Sequence, residues 1–215
     1  MTRWGMVIDL DRCVGCNACT VACKIENGTP PDHYWARVYT EESGTYPEVK
    51  TTYVPVLCNH CEDAPCVTVC PTGASYQRDD GIVLVDQDKC IGCRMCMAAC
   101  PYGARYFNYN EPPKPAHPFQ HATPQYPVPQ QKGTVGKCMF CVHRTADGKL
   151  PACVEACGME AIYIGDLIED VATNGHETVR LSQFIKDNDA FRHKEELGTG
   201  PRVYYIAGHG QLLDA

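Results

Sequence analysis

Long apolar runs are missing from this chain. None of its 215 residues belongs to a stretch near the roughly eighteen apolar residues that a membrane-spanning helix needs. The first residues, MTRWGMVIDLDRC, also lack the apolar core of a secretory signal. The chain is therefore expected to be soluble by itself, with any membrane association coming through partners and with the side of the membrane left open. Large aromatic side chains are scarce, with five Phe and two Trp, so little is available to fill a large core. Basic charge is short as well: 19 Lys and Arg stand against 26 Asp and Glu, a formal net charge of −7. Generic nucleic-acid binding, which needs a basic face, is excluded. Neither a phosphate-binding G-x-x-x-x-G-K-[ST] loop nor a G-x-G-x-x-G turn after a strand is present, which removes support for nucleotide or flavin binding. No nucleophile, base and orienting group are recognisable as a set. The chain is expected to perform no substrate chemistry.

What the chain has instead is cysteine, sixteen of them, falling into four groups of four with none left over. The groups are Cys13, Cys16, Cys19 and Cys23; Cys58, Cys61, Cys66 and Cys70; Cys90, Cys93, Cys96 and Cys100; and Cys138, Cys141, Cys153 and Cys157. Every group ends in C-x3-C. The flanks repeat too: IDLDRCVGC (8–16) and VDQDKCIGC (85–93) are near-copies, and CPTGASY (70–76), CPYGARY (100–106) and CGMEAIY (157–163) follow the last cysteines. This reads as one unit used four times: strand, cysteine loop, short helical turn carrying the last cysteine, then strand. The Pro after Cys70 and Cys100 is expected to end that turn, since Pro cannot continue the hydrogen-bond ladder. SYQRDDGIVLVD (75–86) reads as a hairpin with Gly81 as a simple turn residue.

Tandem C-x2-C spacing points to metal more than to disulfides. Zinc ribbons separate pairs of C-x2-C knuckles by long spacers, whereas three thiolates crowd into seven residues here. That spacing suits an iron–sulfur cubane, and in two-cluster ferredoxins the fourth cysteine of such a run ligates the other cluster. The second and third groups are close in sequence and should form one ferredoxin-like unit. Cys58, Cys61, Cys66 and Cys100 would hold one cluster, and Cys90, Cys93, Cys96 and Cys70 its neighbour. The first and fourth groups then pair: Cys13, Cys16, Cys19 and Cys157 hold a third cluster, and Cys138, Cys141, Cys153 and Cys23 a fourth. With four oxidised clusters the charge would fall to about −15.

The motifs VIDLDRCVGCNACTVACK, LCNHCEDAPCVTVCPTGA, DKCIGCRMCMAACPYGAR and KCMFCVHR…PACVEAC, with GTGPRVYY (198–205) near the end, resemble the four-cluster iron–sulfur subunits of the complex molybdopterin oxidoreductases. The resemblance covers nearly the whole chain. It implies the crossed pairing above, four [4Fe–4S] clusters bound by the sixteen cysteines, and an electron-transfer role in anaerobic respiration. It also implies a molybdopterin-containing catalytic subunit as partner, and a quinone-binding membrane anchor of the NrfD type or a soluble carrier at the other end. The run GTYPEVKTTYVPVLCNHCEDAPC is most similar to the arsenate and polysulfide reductase branches. Gly158 departs from the family, which usually has Pro after the last cysteine. No ligand position carries the Trp that accompanies a three-iron centre in the nitrate reductase branch. An autonomous polyferredoxin shuttle, a zinc-binding module and the electron subunit of a formate dehydrogenase or hydrogenase are the competing readings.

The fold class expected is α+β: two bacterial-type 2[4Fe–4S] ferredoxin-like domains with a Pro-rich insertion and a C-terminal extension. Residues 1–50 with 132–170 form one domain and 51–110 the other. Residues 111–131, with seven prolines, are an extended linker or partner-binding arm, and 171–215 are the extension, with an amphipathic helix ended by Gly198. Beside the ligands, His60 and His143 are expected to hydrogen-bond near the clusters or lie at the surface, not to ligate. Lys24, Lys89, Arg94, Lys137 and Arg144 either raise a nearby potential or are ordinary solvated surface. Tyr76, Tyr102, Tyr106 and Tyr109 are expected to pack against the clusters and exclude water.

Overall fold

The computed structural model describes residues 2–112 and 130–208; the expectation of an extended Pro-rich arm falls mostly outside them. The architecture is α+β. Its centre is a six-stranded sheet around Trp4–Asp9, which pairs antiparallel with Ile162–Asp166 and parallel with Val203–Ile206. Val171–Thr173 and Thr178–Arg180 extend one side, and Phe191–Arg192 closes the other. Alternation along the central strand serves two cores. Met6 and Ile8 join Ile162, Ile164, Val203 and Tyr205 in the larger core, which also holds Cys19, Cys23 and Cys153. Val7, with Tyr163 and Ile206, faces the other way and is covered by Leu181 and Phe184 of the helix Leu181–Asp187.

The tail is thus part of the first sheet, not an appendage to it. Its helix is shorter than expected, because Asp189 has a left-handed backbone and the chain turns into Phe191–Arg192. Gly198, at φ 68°, caps only a 3-10 turn, Glu195–Leu197. The strands Ala36–Thr45 and Glu48–Leu57 form a separate ribbon that runs straight across residue 50, buried at its base and exposed toward its tip.

The repeated motif has a local cause. Asp9 accepts hydrogen bonds from the backbone N–H groups of Asp11 and Arg12, at 2.9 and 3.4 Å. Asp86 does the same for Asp88 and Lys89, at 3.1 and 3.3 Å. Each carboxylate holds the turn that leads a strand into a cysteine loop. Within the loops, Gly15 and Asn17, and likewise Gly92 and Arg94, have left-handed backbones. A side chain at Gly15 would strike Tyr53 at 2.2 Å.

The helical turns differ from the expected unit. Pro65–Thr68, Met95–Ala98 and Ala152–Glu155 carry the third cysteine of their groups and stop before the last one; only Ala18–Asn27 contains its last cysteine. The Pro after Cys70 and Cys100 is therefore not the terminator. The turn before Cys157 ends at the corresponding place although Gly158 follows.

The hairpin of Ser75–Gln77 and Val83–Val85 forms as expected, but Gly81 does more than turn the chain. It has φ 83°, and a Cβ there would lie 1.7 Å from Nη1 of Arg202. Arg202 donates to the Gly81 carbonyl, and its own N–H bonds the Asn59 carbonyl at 2.9 Å. The tail is thereby locked onto the second cysteine group. Gly81→Ala is expected to destabilise the metal-loaded protein by about 1–3 kcal/mol, from left-handed strain and overpacking. Thermal unfolding checks this, and an unchanged Tm would contradict the role given to Gly81.

Candidate metal centres

All sixteen cysteines are free thiols. Eight are buried, six half-buried, and only Cys16 and Cys93 exposed. Two pairs of helices bring the groups together: Ala18–Asn27 packs on Ala152–Glu155, and Pro65–Thr68 packs on Met95–Ala98. The first group thus meets the fourth, and the second meets the third.

Electrostatic contacts between thiols resolve this further. Cys13 acts on Cys19, and Cys157 acts on both. Cys23 feels Cys138 and Cys141, and Cys153 feels all three. Cys61 and Cys100 each feel Cys58 and Cys66. Cys96 feels Cys90. Cys70 is held by the Ser75 N–H at 3.3 Å. Contacts also run between these sets. Cys19 reaches Cys153, Cys58 reaches Cys138, and Cys66 reaches Cys96. By these contacts the thiols group as Cys13/Cys19/Cys157, Cys23/Cys138/Cys141/Cys153, Cys58/Cys61/Cys66/Cys100 and Cys90/Cys96.

Burial dominates the chemistry of these groups. It pushes the Cys19 thiol up to about 11 and Cys61 and Cys138 to about 12. Cys23 and Cys153 rise well above the ordinary range for the same reason. A thiolate in such a place needs a positive partner, which iron supplies when it displaces the proton. The surroundings suit sulfur anions. The Ala161 N–H points at Cys157 Sγ at 3.4 Å, and Asn27 Nδ2 lies 3.4 Å from Cys23 Sγ and 4.0 Å from Cys141 Sγ. Free thiols in sets of this kind, with N–H donors on the sulfurs, fit iron–sulfur cubanes. The comparisons with known proteins agree. Residues 49–167 match the 4Fe-4S dicluster domain, and a second 4Fe-4S dicluster model matches residues 12–74.

The chain belongs to the 4Fe–4S dicluster family.

Several of its relatives are named as reductase subunits. It is 43% identical to the arsenate respiratory reductase iron–sulfur subunit of Shewanella sp. (strain ANA-3), over 97% of each chain. It is 46% identical to the iron–sulfur subunit of a provisionally named dimethyl sulfoxide reductase of Halobacterium salinarum, over 97% of this chain and 80% of the relative. A tetrathionate reductase subunit of Salmonella typhimurium is 41% identical over 95% of this chain and 72% of its own.

The side chains around the thiols sort into distinct roles. His60 is fully buried; its Nδ1 accepts the Val83 N–H at 3.0 Å, and its ring lies 3.8 Å from that of Phe140. Burial first, then Lys137, Arg202 and Arg105, hold its pKa well below the ordinary value. His143 bonds Glu26 at 2.8 Å, and Arg144 bonds the other oxygen of Glu26 at 2.8 Å, tying the fourth group to the first helix. Lys24 donates to the carbonyls of Pro30 and His33, and Lys89 pairs with Asp86. Arg94 is exposed and lies over Phe107 and Tyr109. Lys137 alone of these five cations is buried. Tyr102 bonds Thr199 at 2.6 Å beside Cys61 and Cys100, and burial raises its pKa to about 12. Tyr76 and Tyr106 pack against the larger core. Tyr109 does not exclude water as expected: it is 62% exposed. Sequence reasoning missed Arg105. It is buried, and although burial opposes its charge, the neighbouring Cys66, Cys96 and Cys58 more than offset this and raise its pKa. The signal available was a lone basic residue five positions after Cys100 in a strand-like run.

The core around the second and third groups is small. Its buried members are Cys61, Cys66, Cys96, Ala64, Val83 and Val135, so half of it is ligand sulfur. Stripping iron with a chelator should therefore remove amide-exchange protection from residues 58–108 while strands Trp4–Asp9 and Ile162–Asp166 retain it. Equal loss in both regions would contradict this division of stability.

Proposed function

We propose that this chain is an electron wire carrying four [4Fe–4S] clusters. It would run between a molybdopterin-containing catalytic subunit and a quinone-binding membrane anchor of the NrfD type or a soluble carrier, in anaerobic respiration. The single observation that carries the reading is the series of thiol sets, with exposed ligands only at its two ends. In this reading Cys13, Cys16, Cys19 and Cys157 hold the first cluster. Cys138, Cys141, Cys153 and Cys23 hold the second, Cys58, Cys61, Cys66 and Cys100 the third, and Cys90, Cys93, Cys96 and Cys70 the fourth. The ferredoxin-like units are residues 1–50 with 132–170, and 51–110, the tail completing the sheet of the first.

A bound [4Fe–4S] cluster takes up and passes on one electron at a time. The chain's own residues supply spacing, burial and charge. Around Cys16 the surface exposes Val14, Val21 and Ile25; around Cys93 it exposes Ile91 and Met95, with Tyr109. Apolar patches of this kind beside an exposed ligand suit docking of a redox partner. The interior sets are buried apart from the half-buried Cys138 and Cys100, which limits leakage of electrons to small oxidants on the way. The chain itself does no substrate chemistry. Its relatives' names span dimethyl sulfoxide, arsenate, selenate and tetrathionate, so the choice of oxidant belongs to the catalytic partner; the arsenate branch is the one favoured here. No helix among the described residues is long and apolar enough to cross a membrane, and attachment to the membrane would come through partners.

Cys100→Ser tests both the crossed ligation and the wire. It is expected to alter the EPR signal of the cluster shared with Cys58, Cys61 and Cys66, while the one on Cys90, Cys93 and Cys96 keeps its signal. In the assembled complex, electron flow from the physiological donor should fall more than tenfold. A viologen dye that reduces the catalytic subunit directly should still support activity. A change confined to the signal of the Cys90 set would overturn the pairing, and undiminished flow would overturn the wire.

A further inference from the structure

Among the described residues three cations are almost wholly buried: Arg105, Lys137 and Arg202, at 4%, 3% and 3% exposure. Arg202 has a structural task, holding the Gly81 carbonyl and lying 3.9 Å from Glu62. The other two have no carboxylate partner among the described residues. Removing such charges from water is costly unless a counter-charge is supplied.

Their positions are specific. Arg105 lies beside Cys66 and Cys96, the contact between the third and fourth sets, with Cys58 also in reach. Its Nη1 donates to Ser75 Oγ at 2.8 Å, and the Ser75 N–H bonds Cys70 Sγ at 3.3 Å. Its Nη2 is buried without a hydrogen-bond partner among the described residues. Lys137 lies at the contact between the second and third sets, where Cys138 meets Cys58. Its Nζ donates to the carbonyls of Cys138 and Val83. The Val83 N–H in turn bonds His60, between Cys58 and Cys61. A hydrogen-bonded bridge thus joins the ligand loops on either side. The first contact, between Cys19 and Cys153, has no buried Lys or Arg among the described residues.

We infer that Arg105 and Lys137 are the fixed counter-charges of the two inner electron-transfer steps, each raising the potentials of the two clusters that flank it. The inference rests on the reading that the cysteine sets hold clusters. An electron arriving at a cluster adds one negative charge to a site of low dielectric. A cation built into the contact stabilises that charge on either side of it, so the electron meets no deep well and no high barrier between neighbours. The cost of burying each cation is offset by the thiolate-bound clusters beside it. The exposed Arg94, screened by water and spread over Phe107 and Tyr109, lacks this leverage.

The test uses the chain purified anaerobically with its partner subunits, with iron content and EPR-monitored redox titration as readouts. Arg105→Met should shift the midpoints of the third and fourth clusters downward, and Lys137→Met those of the second and third. Both should leave the first cluster, on Cys13, Cys16 and Cys19, where it was. Arg105→Lys and Lys137→Arg, which keep the charge, should retain wild-type iron and midpoints, as should the surface control Arg94→Gln. Unchanged midpoints in the Met variants, or an equal shift of all four clusters, would overturn the proposal. Should a Met variant lose iron, its charge-conserving partner decides. Retention there upholds the role of charge, and loss in both overturns it. Wild-type protein without [4Fe–4S] signals would sink the cluster reading itself, a separate and recognisable failure.

Discussion

Thiolate burial is the constraint on which the rest of this structure depends. Cysteines occupy the places that Phe, Leu and Ile would take in an ordinary core, and burial lifts thiols such as Cys61 and Cys138 to about 12. Protonated, they are weak apolar fillers; as anions they are unstable there without positive charge. Iron resolves both problems, and so the elements that carry cysteines can be very short. Helices of four residues, Pro65–Thr68, Met95–Ala98 and Ala152–Glu155, would not persist in isolation. They survive because each is anchored through a ligand at its middle and another just beyond its end. The six-stranded sheet is the exception, with an apolar core of its own around Met6, Ile8 and Tyr205.

The same constraint orders the molecule in space. Helix packing brings the groups close in pairs, the first with the fourth and the second with the third, and Cys58 acts on Cys138 across the two pairs. Conduction then follows from geometry more than from any catalytic group. The exposed thiols, Cys16 and Cys93, are fringed with apolar side chains, and the others are buried or half-buried. Buried positive charge sits at two of the three contacts between sets, Lys137 at one and Arg105 at the other. A chain of net charge −7 with 19 Lys and Arg places two of them, Arg105 and Lys137, in its interior beside the thiol sets.

Much of this was legible in the residues. The four cysteine groups and the α+β class follow from spacing that serves one chemistry, and the near-copies at 8–16 and 85–93 announced a repeated turn. The Asp9 and Asp86 carboxylates that hold those turns are local contacts, which sequence patterns report well. Long-range contacts were not legible. Gly81 read as a plain turn residue because its partner, Arg202, is far away in sequence. The tail read as an extension because a strand of four residues, Val203–Ile206, gives no sign of pairing with the N-terminus. The prolines after Cys70 and Cys100 suggested a helix stop, yet those turns end before the last cysteine, as does the one before Gly158. Arg105 was overlooked because burial of a single charge leaves no periodic trace.

The most direct test of the account is elemental and spectroscopic: iron, sulfide and zinc per chain after anaerobic purification, with EPR of the dithionite-reduced protein. Four [4Fe–4S] clusters in series predict about sixteen irons and as many sulfides, with reduced-state signals broadened by coupling between neighbouring centres. Zinc in place of iron, or reduced clusters that show no magnetic coupling, would contradict it.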